Sequence, residues 1–304
     1  MKRIFTLMCA VLALSLGSAL AAESQTLTKK YDFKDFEALS ASGSFQVNLV
    51  QDSKWLVEVE YSDFLEEYLD VKVSGDMLHL GLKNLPRSVR ESRQYKNGPT
   101  LKATVHMPRL NKLSMSGATK LWQQGSFVCK EDFRLDMSGA SKAENLSVRA
   151  QKARLVLSGS SKNIHMEGSF QQVSLDASGA SKCYIKADAN QWNVSLSGSA
   201  YSQMSGAACQ TLTLENSGAA KTDVSIPSET LKYEGTGASS LRAEEAVTGH
   251  AVIDLSGASS CRISVKESLE VEATGASECR YKAVGDKPIQ TKLNMSRGTK
   301  IVSM

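Results

Sequence analysis

Several kinds of chemistry are absent from this sequence. No stretch beyond the first twenty residues is long and apolar enough to cross a bilayer. No Cys-x-x-Cys pattern occurs, which removes the usual signature of a zinc or dithiol redox site. The four histidines, His79, His106, His165 and His250, stand in unlike surroundings, so neither a triad nor a metal cluster can be built on them. The many serines never fall in a Gly-x-Ser-x-Gly elbow, so their abundance is no evidence for a nucleophile. Charge of one sign is also lacking: removing Lys2 and Arg3 with a leader takes the formal charge from +4 to +2. That balance excludes a dedicated nucleic-acid binder, whose affinity rests on neutralising phosphates.

The leader is read from Met1-Lys2-Arg3, an apolar run from Ile4 to Leu20, and Ala19-Leu20-Ala21. This is the pattern of a secretory signal peptide over residues 1–21, which implies an exported protein, periplasmic, outer-surface or extracellular. Cys9 lies too early in that run, without a small residue before it, to serve as a lipid-attachment cysteine.

What the chain does have is one phrase, repeated. It reads Ser-Gly-Ala-Ser-Lys or a close variant around Gly117, Gly139, Gly159, Gly179, Gly198, Gly218, Gly237, Gly257 and Gly275. A damaged copy stands at Ser296-Arg297-Gly298-Thr299-Lys300. Successive glycines from Gly117 to Gly275 are 22, 20, 20, 19, 20, 19, 20 and 18 residues apart. A period that steady marks a repeat architecture, in which each unit buries its apolar face only against its neighbours. Two, four and six residues before a glycine the chain is apolar, as at Met137, Leu135 and Phe133 or Leu255, Ile253 and Ala251. Four, six and eight residues after it the same holds, as at Cys183, Ile185 and Ala187 or Cys261, Ile263 and Val265. A period of two means strand.

Each unit is therefore two short strands meeting at a glycine corner, with no apolar run at helical spacing between them. The expected fold is all-β, a right-handed parallel β-helix of roughly ten turns at about 20 residues per turn. The residue after each glycine is expected to be small because it sits inside the bend, so that Ala180→Leu would overpack the corner. The solenoid domain is placed at 108–304. Residues 22–107 form an N-terminal β region that caps or begins it, with Ser42-Gly43-Ser44 as an early corner. Between Lys83 and Thr100 the pattern lapses into a basic loop, which carries Arg87, Arg90 and Arg93. Arg297 and Pro288 mark the last unit as the C-terminal cap.

Outward positions line up as well. Glu215, Glu234, Asp254 and Glu272 stand three residues before their glycines and Arg242, Arg262 and Arg280 five residues after. Lys120, Lys142, Lys162 and Lys182 stand three residues after theirs. Like charges stacked this closely repel, so each column needs a use or relief from the other. The acid column is a calcium candidate, since that ion takes several oxygen ligands. The Arg and Lys columns are candidate surfaces for anionic glycan or an envelope protein. Against both stands the reading that repeat duplication copied solvated charges. No cofactor and no catalytic residue is indicated. Five cysteines follow the leader: Cys129, Cys183, Cys209, Cys261 and Cys279. Cys261 and Cys279 share one slot in consecutive turns, within disulfide reach or stacked as buried thiols.

The leader, the Phe45 to Leu49 strand after Ser42-Gly43 and the iterated Ser-Gly-Ala-Ser corners together resemble the head GIN domain family, the autotransporter-adhesin heads of Bacteroidetes and relatives. The resemblance covers nearly all of the mature chain. It implies an exported parallel β-helix without catalytic residues to carry over. The first functional reading is an exported, non-enzymatic, adhesin-like binding protein of the cell envelope that presents a rigid surface to glycan or protein partners. Two others stand beside it: a polysaccharide lyase or hydrolase on the same fold, and a purely structural envelope protein.

Overall fold

The computed structural model describes residues 24–130 and 132–304. The expected leader lies outside them. The chain is a β-solenoid of about ten turns with about 20 residues per turn.

The corner explains the period. From Gly43 to Gly275 every corner glycine has φ between +68° and +78°, the left-handed region where a Cβ is penalised. Its neighbour would be worse. A Cβ added at any corner from Gly117 to Gly275 would lie 2.5–3.0 Å from the carbonyl oxygen of the corner glycine one turn below. That oxygen accepts a hydrogen bond from the residue just past the glycine above, as in Ala140 to Gly117 and Ala180 to Gly159, both 2.7 Å. The glycines thus form one axial column, and the carbonyl-to-amide bonds between them set the height of each turn.

The phrase flanking each glycine divides by slot. The first residue after it points to solvent: Ala118, Ala140 and Ala180 are exposed. The second is buried in every turn, from Thr119, Ser141, Ser161 and Ser181 to Ser239, Ser259 and Ser277. Thr119 and Ser277 donate their hydroxyls to the carbonyls of Ser116 and Thr274, at 2.7 and 2.9 Å, closing the turn on itself. The small residue inside the bend is therefore Ser181, and the expectation placed on Ala180 was one position early.

On either side of the corner run two stacks of parallel strands. Before it, Phe133–Met137, Lys152–Leu157 and the second half of Lys162–Ala177 stack in register, Leu135 on Leu155 on Leu175. After it, Lys142–Arg149, Lys162–Ala177 and Lys182–Leu196 do the same. The inward positions named from the sequence are all buried, and one apolar core runs from Phe36 to Cys279.

The chain does not build its turns in spatial order. Ala38–Ala41 and Gln46–Gln51, with Gly43 between them, lie directly beneath Lys112–Met115 and Lys120–Gln124. On their other side they pair with Met77–Leu82 and Leu101–Met107. The segment between Gln51 and Lys112 therefore goes outward to finish the end before the stack proceeds. That end closes with antiparallel strands: Leu56–Ser62 on Leu101–Met107, Thr26–Tyr31 on Leu56–Ser62, and Leu69–Ser74 on Met77–Leu82. The basic segment from Lys83 to Thr100 is not all loop, since Arg87–Glu91 and Arg93–Lys96 are short helices. Thr26–Tyr31 escaped the sequence reading because its residues are mostly exposed and carry no apolar alternation.

The opposite end differs. Gln290–Met295 and Lys300–Ser303 stack on the turn before them, yet Leu293 and Met295 stay 40% and 56% exposed. Both stand in inward columns, over Val271 and Ala273. The last turn completes the stack without covering it.

Two substitutions separate the slots. Gly179→Ala should destabilise by roughly 1–3 kcal/mol from its φ alone, with the contact on Gly159 adding to it. Ala180→Leu should stay within about 0.5 kcal/mol. Chemical denaturation measures both; a neutral Gly179→Ala would contradict the corner column.

Candidate functional site

Strand register slips at two stretches that follow the corner, and once more between Thr248 and His250. Asn145 and His165 have φ of 57° and 59° in strands one above the other. Each is a non-glycine residue in left-handed conformation, an uncommon state that concentrates at functional segments. The register of Lys162–Ala177 against Lys182–Leu196 shifts between Asn163 and Met166, so the bulge ends there. Higher up, Ala243 and Val247 pair with the consecutive residues Ile263 and Ser264, leaving Glu244, Glu245 and Ala246 as an outward bulge. Open space on this face runs from the strands of the first bulge to the second.

That space is a polar trough. Its largest part, about 530 Å³, is lined by Ser147, Arg149, Glu167, Ser169, Lys186 and Asp188. Gly168, Ala187 and Gly206 form the floor. A Cβ on Gly206 would fall 1.8 Å from the Ala187 carbonyl oxygen, so strands approach here and no side chain fills the space. A second hollow shares Glu167, Lys186 and Ser205 with the first and adds His165, Tyr184 and Gln203. A third shares Gln203 and continues through Asp223 and Arg242 to Glu244 and Glu245.

The wall groups are set by short contacts. Lys186 lies 3.8 Å from Glu167, and Asp188 accepts the Ala207 amide at 2.9 Å. Tyr201 donates its hydroxyl to Asp223 at 2.7 Å and meets Tyr184 edge to face, ring centres 5.8 Å apart. Burial, and then the Asp223 carboxylate beside it, push the Tyr201 phenol well above its ordinary range. Along the same sheet, the Lys142 ammonium holds Glu144 below the usual carboxylate range, helped by the Trp122 indole that donates to it at 3.0 Å. Arg149 and Arg242 have no ion-pair partner among the described residues. The trough therefore offers donors, acceptors, both charges and one aromatic ring.

The residues named from sequence fall elsewhere or only at the rim. Lys120, Lys142, Lys162 and Lys182 stack in register at the start of the post-corner strands. Of these, Lys142 pairs with Glu144. Arg242, Arg262 and Arg280 stack further up the same sheet, with Asp223 beneath Arg242 and Glu278 bonded to Arg280 at 3.0 Å. Glu215, Glu234, Asp254 and Glu272 are in register on the other sheet, across the corner. No ion pair joins the acid and arginine columns among the described residues, so neither relieves the other within the chain. The acids follow one another along the axis without converging. Among the described residues no group of three His, Cys, Asp or Glu side chains could hold a metal ion. Arg87, Arg90 and Arg93 lie on the two short helices of the N-terminal end, where Arg87 pairs with Glu91 at 2.7 Å.

Only Arg242 of these reaches the trough. Arg149, Glu167, Tyr184, Lys186 and Asp188 were not singled out from sequence. The available signal was two glycines out of phase with the corners, Gly168 and Gly206, together with the change of step from 20 to 19 residues at Gly198.

The described residues thus form a stacked solenoid with an open polar trough along its side. The chain belongs to the family described as "Putative auto-transporter adhesin, head GIN domain", whose model matches residues 35–234 and 185–284. An adhesin-like role is what that family supports in general terms. Among solved structures it is similar to a "putative lipid binding protein" from Parabacteroides distasonis, at 14% identity, TM-score 0.46, covering 92% of this chain and 96% of that one. It is similar also to a "putative adhesin" from the same species, at 12% identity, TM-score 0.48, covering 93% and 98%. A "putative adhesin" from Parabacteroides merdae matches at 15% identity, TM-score 0.43, covering 92% and 96%. No curated protein matches the chain.

Glycine accepts the left-handed conformation that His165 holds under strain. His165→Gly should therefore leave the fold at least as stable, with a gain of up to about 1 kcal/mol by thermal or urea denaturation. A clear loss would show that the bulge is held by the imidazole itself.

Proposed function

We propose that this is an exported, non-enzymatic, adhesin-like protein of the cell envelope that binds saccharide chains in the trough. The observation that carries the reading is the trough itself, a stretch of the post-corner sheet where polar side chains converge around open space instead of standing in separate columns. Sugar hydroxyls both donate and accept. Glu167 and Asp188 supply acceptors, Arg149 and Lys186 supply donors, the serines supply both, and the Tyr184 ring gives an apolar face for sugar C–H groups. An open trough along the strands suits a chain that runs past the protein.

Such a site holds its ligand weakly, because open polar contacts are exchanged against water. Adhesion then comes from several sites engaged at once along a glycan-covered surface, which multiplies affinity without new contacts. The rigid stack assists, because nothing in the framework must be ordered on binding.

A glycan array probed with the mature protein should return a consistent set of saccharides. Tyr184→Ala and Arg149→Ala should each weaken the best of them at least about tenfold by calorimetry, equivalent to about 1.4 kcal/mol, with melting temperature unchanged. Replacing Glu234 and Asp254 by glutamine, on the other sheet, should leave binding as it was. An empty array, or unaltered binding by both trough variants, would refute the site.

A further inference from the structure

Toward the C-terminal end Leu293 and Met295 leave the core exposed, and among the described residues the only two cysteine sulfurs in contact lie just beneath them. Cys261 and Cys279 are register partners in adjacent parallel strands, Ser260–Ala273 and Glu278–Ala283. Their side chains point inward and are 1% and 0% exposed, with the two Sγ atoms 3.1 Å apart. Register partners on neighbouring strands have Cα atoms about 4.8 Å apart, inside the range a disulfide spans. Ile301 is the sole register neighbour above Cys279, and the turn it belongs to leaves Leu293 and Met295 exposed.

We propose that in the exported protein Cys261 and Cys279 close to a disulfide that staples the last covered turn to the one below it. This inference is independent of what the trough binds. The two thiols are oxidised by thiol–disulfide exchange with an external disulfide, either that of an exported oxidoreductase or a small-molecule disulfide such as oxidised glutathione. One thiolate attacks the external disulfide and releases its first sulfur as a thiol. The second cysteine then attacks the mixed disulfide at the protein sulfur and releases the other. Two protein S–H bonds are lost, one S–S bond forms, and the acceptor leaves as two thiols. The exchange takes place while the terminal strands are open, during folding or fraying, since both sulfurs are covered in the finished stack.

The position has a mechanical reason. In a stack held by nearest-neighbour contacts the ends open first. One end is closed by the antiparallel strands Leu56–Ser62, Thr26–Tyr31 and Leu69–Ser74, and among the described residues no such strands cover the other. The remaining cysteines fit the same picture. Cys129 donates to the Leu110 carbonyl and Cys183 lies beside the Asn163 amide, with no second sulfur near either. Burial pushes the thiols of Cys129 and Cys183 up to about 12 and that of Cys209 up to about 11, and the Cys279 thiol and burial raise Cys261 as well, so the contact between two sulfurs, and not acidity, singles out the pair. The odd number of cysteines after the leader then resolves into one pair and three single thiols.

The test uses the mature protein folded with oxidised glutathione and compared with the same protein reduced. Under denaturing, non-reducing conditions three of the five thiols should react, and proteolysis should yield one cross-linked peptide joining the Cys261 and Cys279 segments. Amides of Glu278–Ala283 and Lys300–Ser303 should exchange at least about tenfold more slowly in the oxidised form. The Cys261→Ser variant should exchange at the reduced rate whether or not oxidant is present. Reaction of all five thiols after oxidative folding would overturn the bond. A bond that leaves terminal exchange unchanged would overturn its role as a staple.

Discussion

Everything in this molecule is indexed to the contact between one glycine and the next along the axis. Each corner carbonyl accepts the amide just past the glycine above it, at 2.7–2.8 Å from Gly43 up to Gly257. That approach needs the upper glycine to carry no Cβ, which would fall 2.5–3.0 Å from the oxygen below. The contact fixes height, and height fixes phase: once the corners stack, the residue two before each glycine faces inward and the residue three before it faces out in every turn. The continuous core and the charge columns are consequences of that single alignment. So is the burial of the residue two past each glycine from Phe45 to Ser277, a hydroxyl residue in most turns and alanine at Ala200 and Ala220.

The site arises where the alignment is kept at the corner and broken beyond it. Bulges at Asn145 and His165, and at Glu244 to Ala246, stand at its two ends: Ser147, Arg149, Glu167 and Ser169 lie on the strands of the first, and Glu244 and Glu245 on the second. A solenoid tolerates such excursions because the residues furthest from the glycine column are least constrained by it. Irregularity in a repeat therefore collects on one face, and that face acquires a convergent set of polar groups. Charge columns such as Glu215 to Glu272 keep, by contrast, one outward slot in register from turn to turn.

The fold was legible because its determinants are local and repeated. Glycine spacing and the two-residue apolar period are both visible without any long-range knowledge, and the paired inward positions about each corner came out buried. What the sequence concealed was non-local. That Ala38–Ala41 sits between Met77–Leu82 and Lys112–Met115 depends on a chain that leaves the stack, finishes its end and returns, and no periodicity records such a detour. The slot of Ala180 was misplaced by one because sequence shows a small residue on both sides of that position and cannot tell which one the bend encloses. The trough was hidden for a further reason: bulges shift the phase of a strand, so its lining residues occupy no common slot relative to the glycines and cannot be found as a column.

The most direct measurement of the central claim is native-state amide hydrogen exchange at the residues just past the corner glycines. If the glycine column holds the stack together, the amides of Ala140, Ser160, Ala180, Ser199 and Ala219 are among the slowest in the protein, although their side chains face water. Exchange of those amides as fast as that of the exposed segment from Arg87 to Lys96 would contradict it.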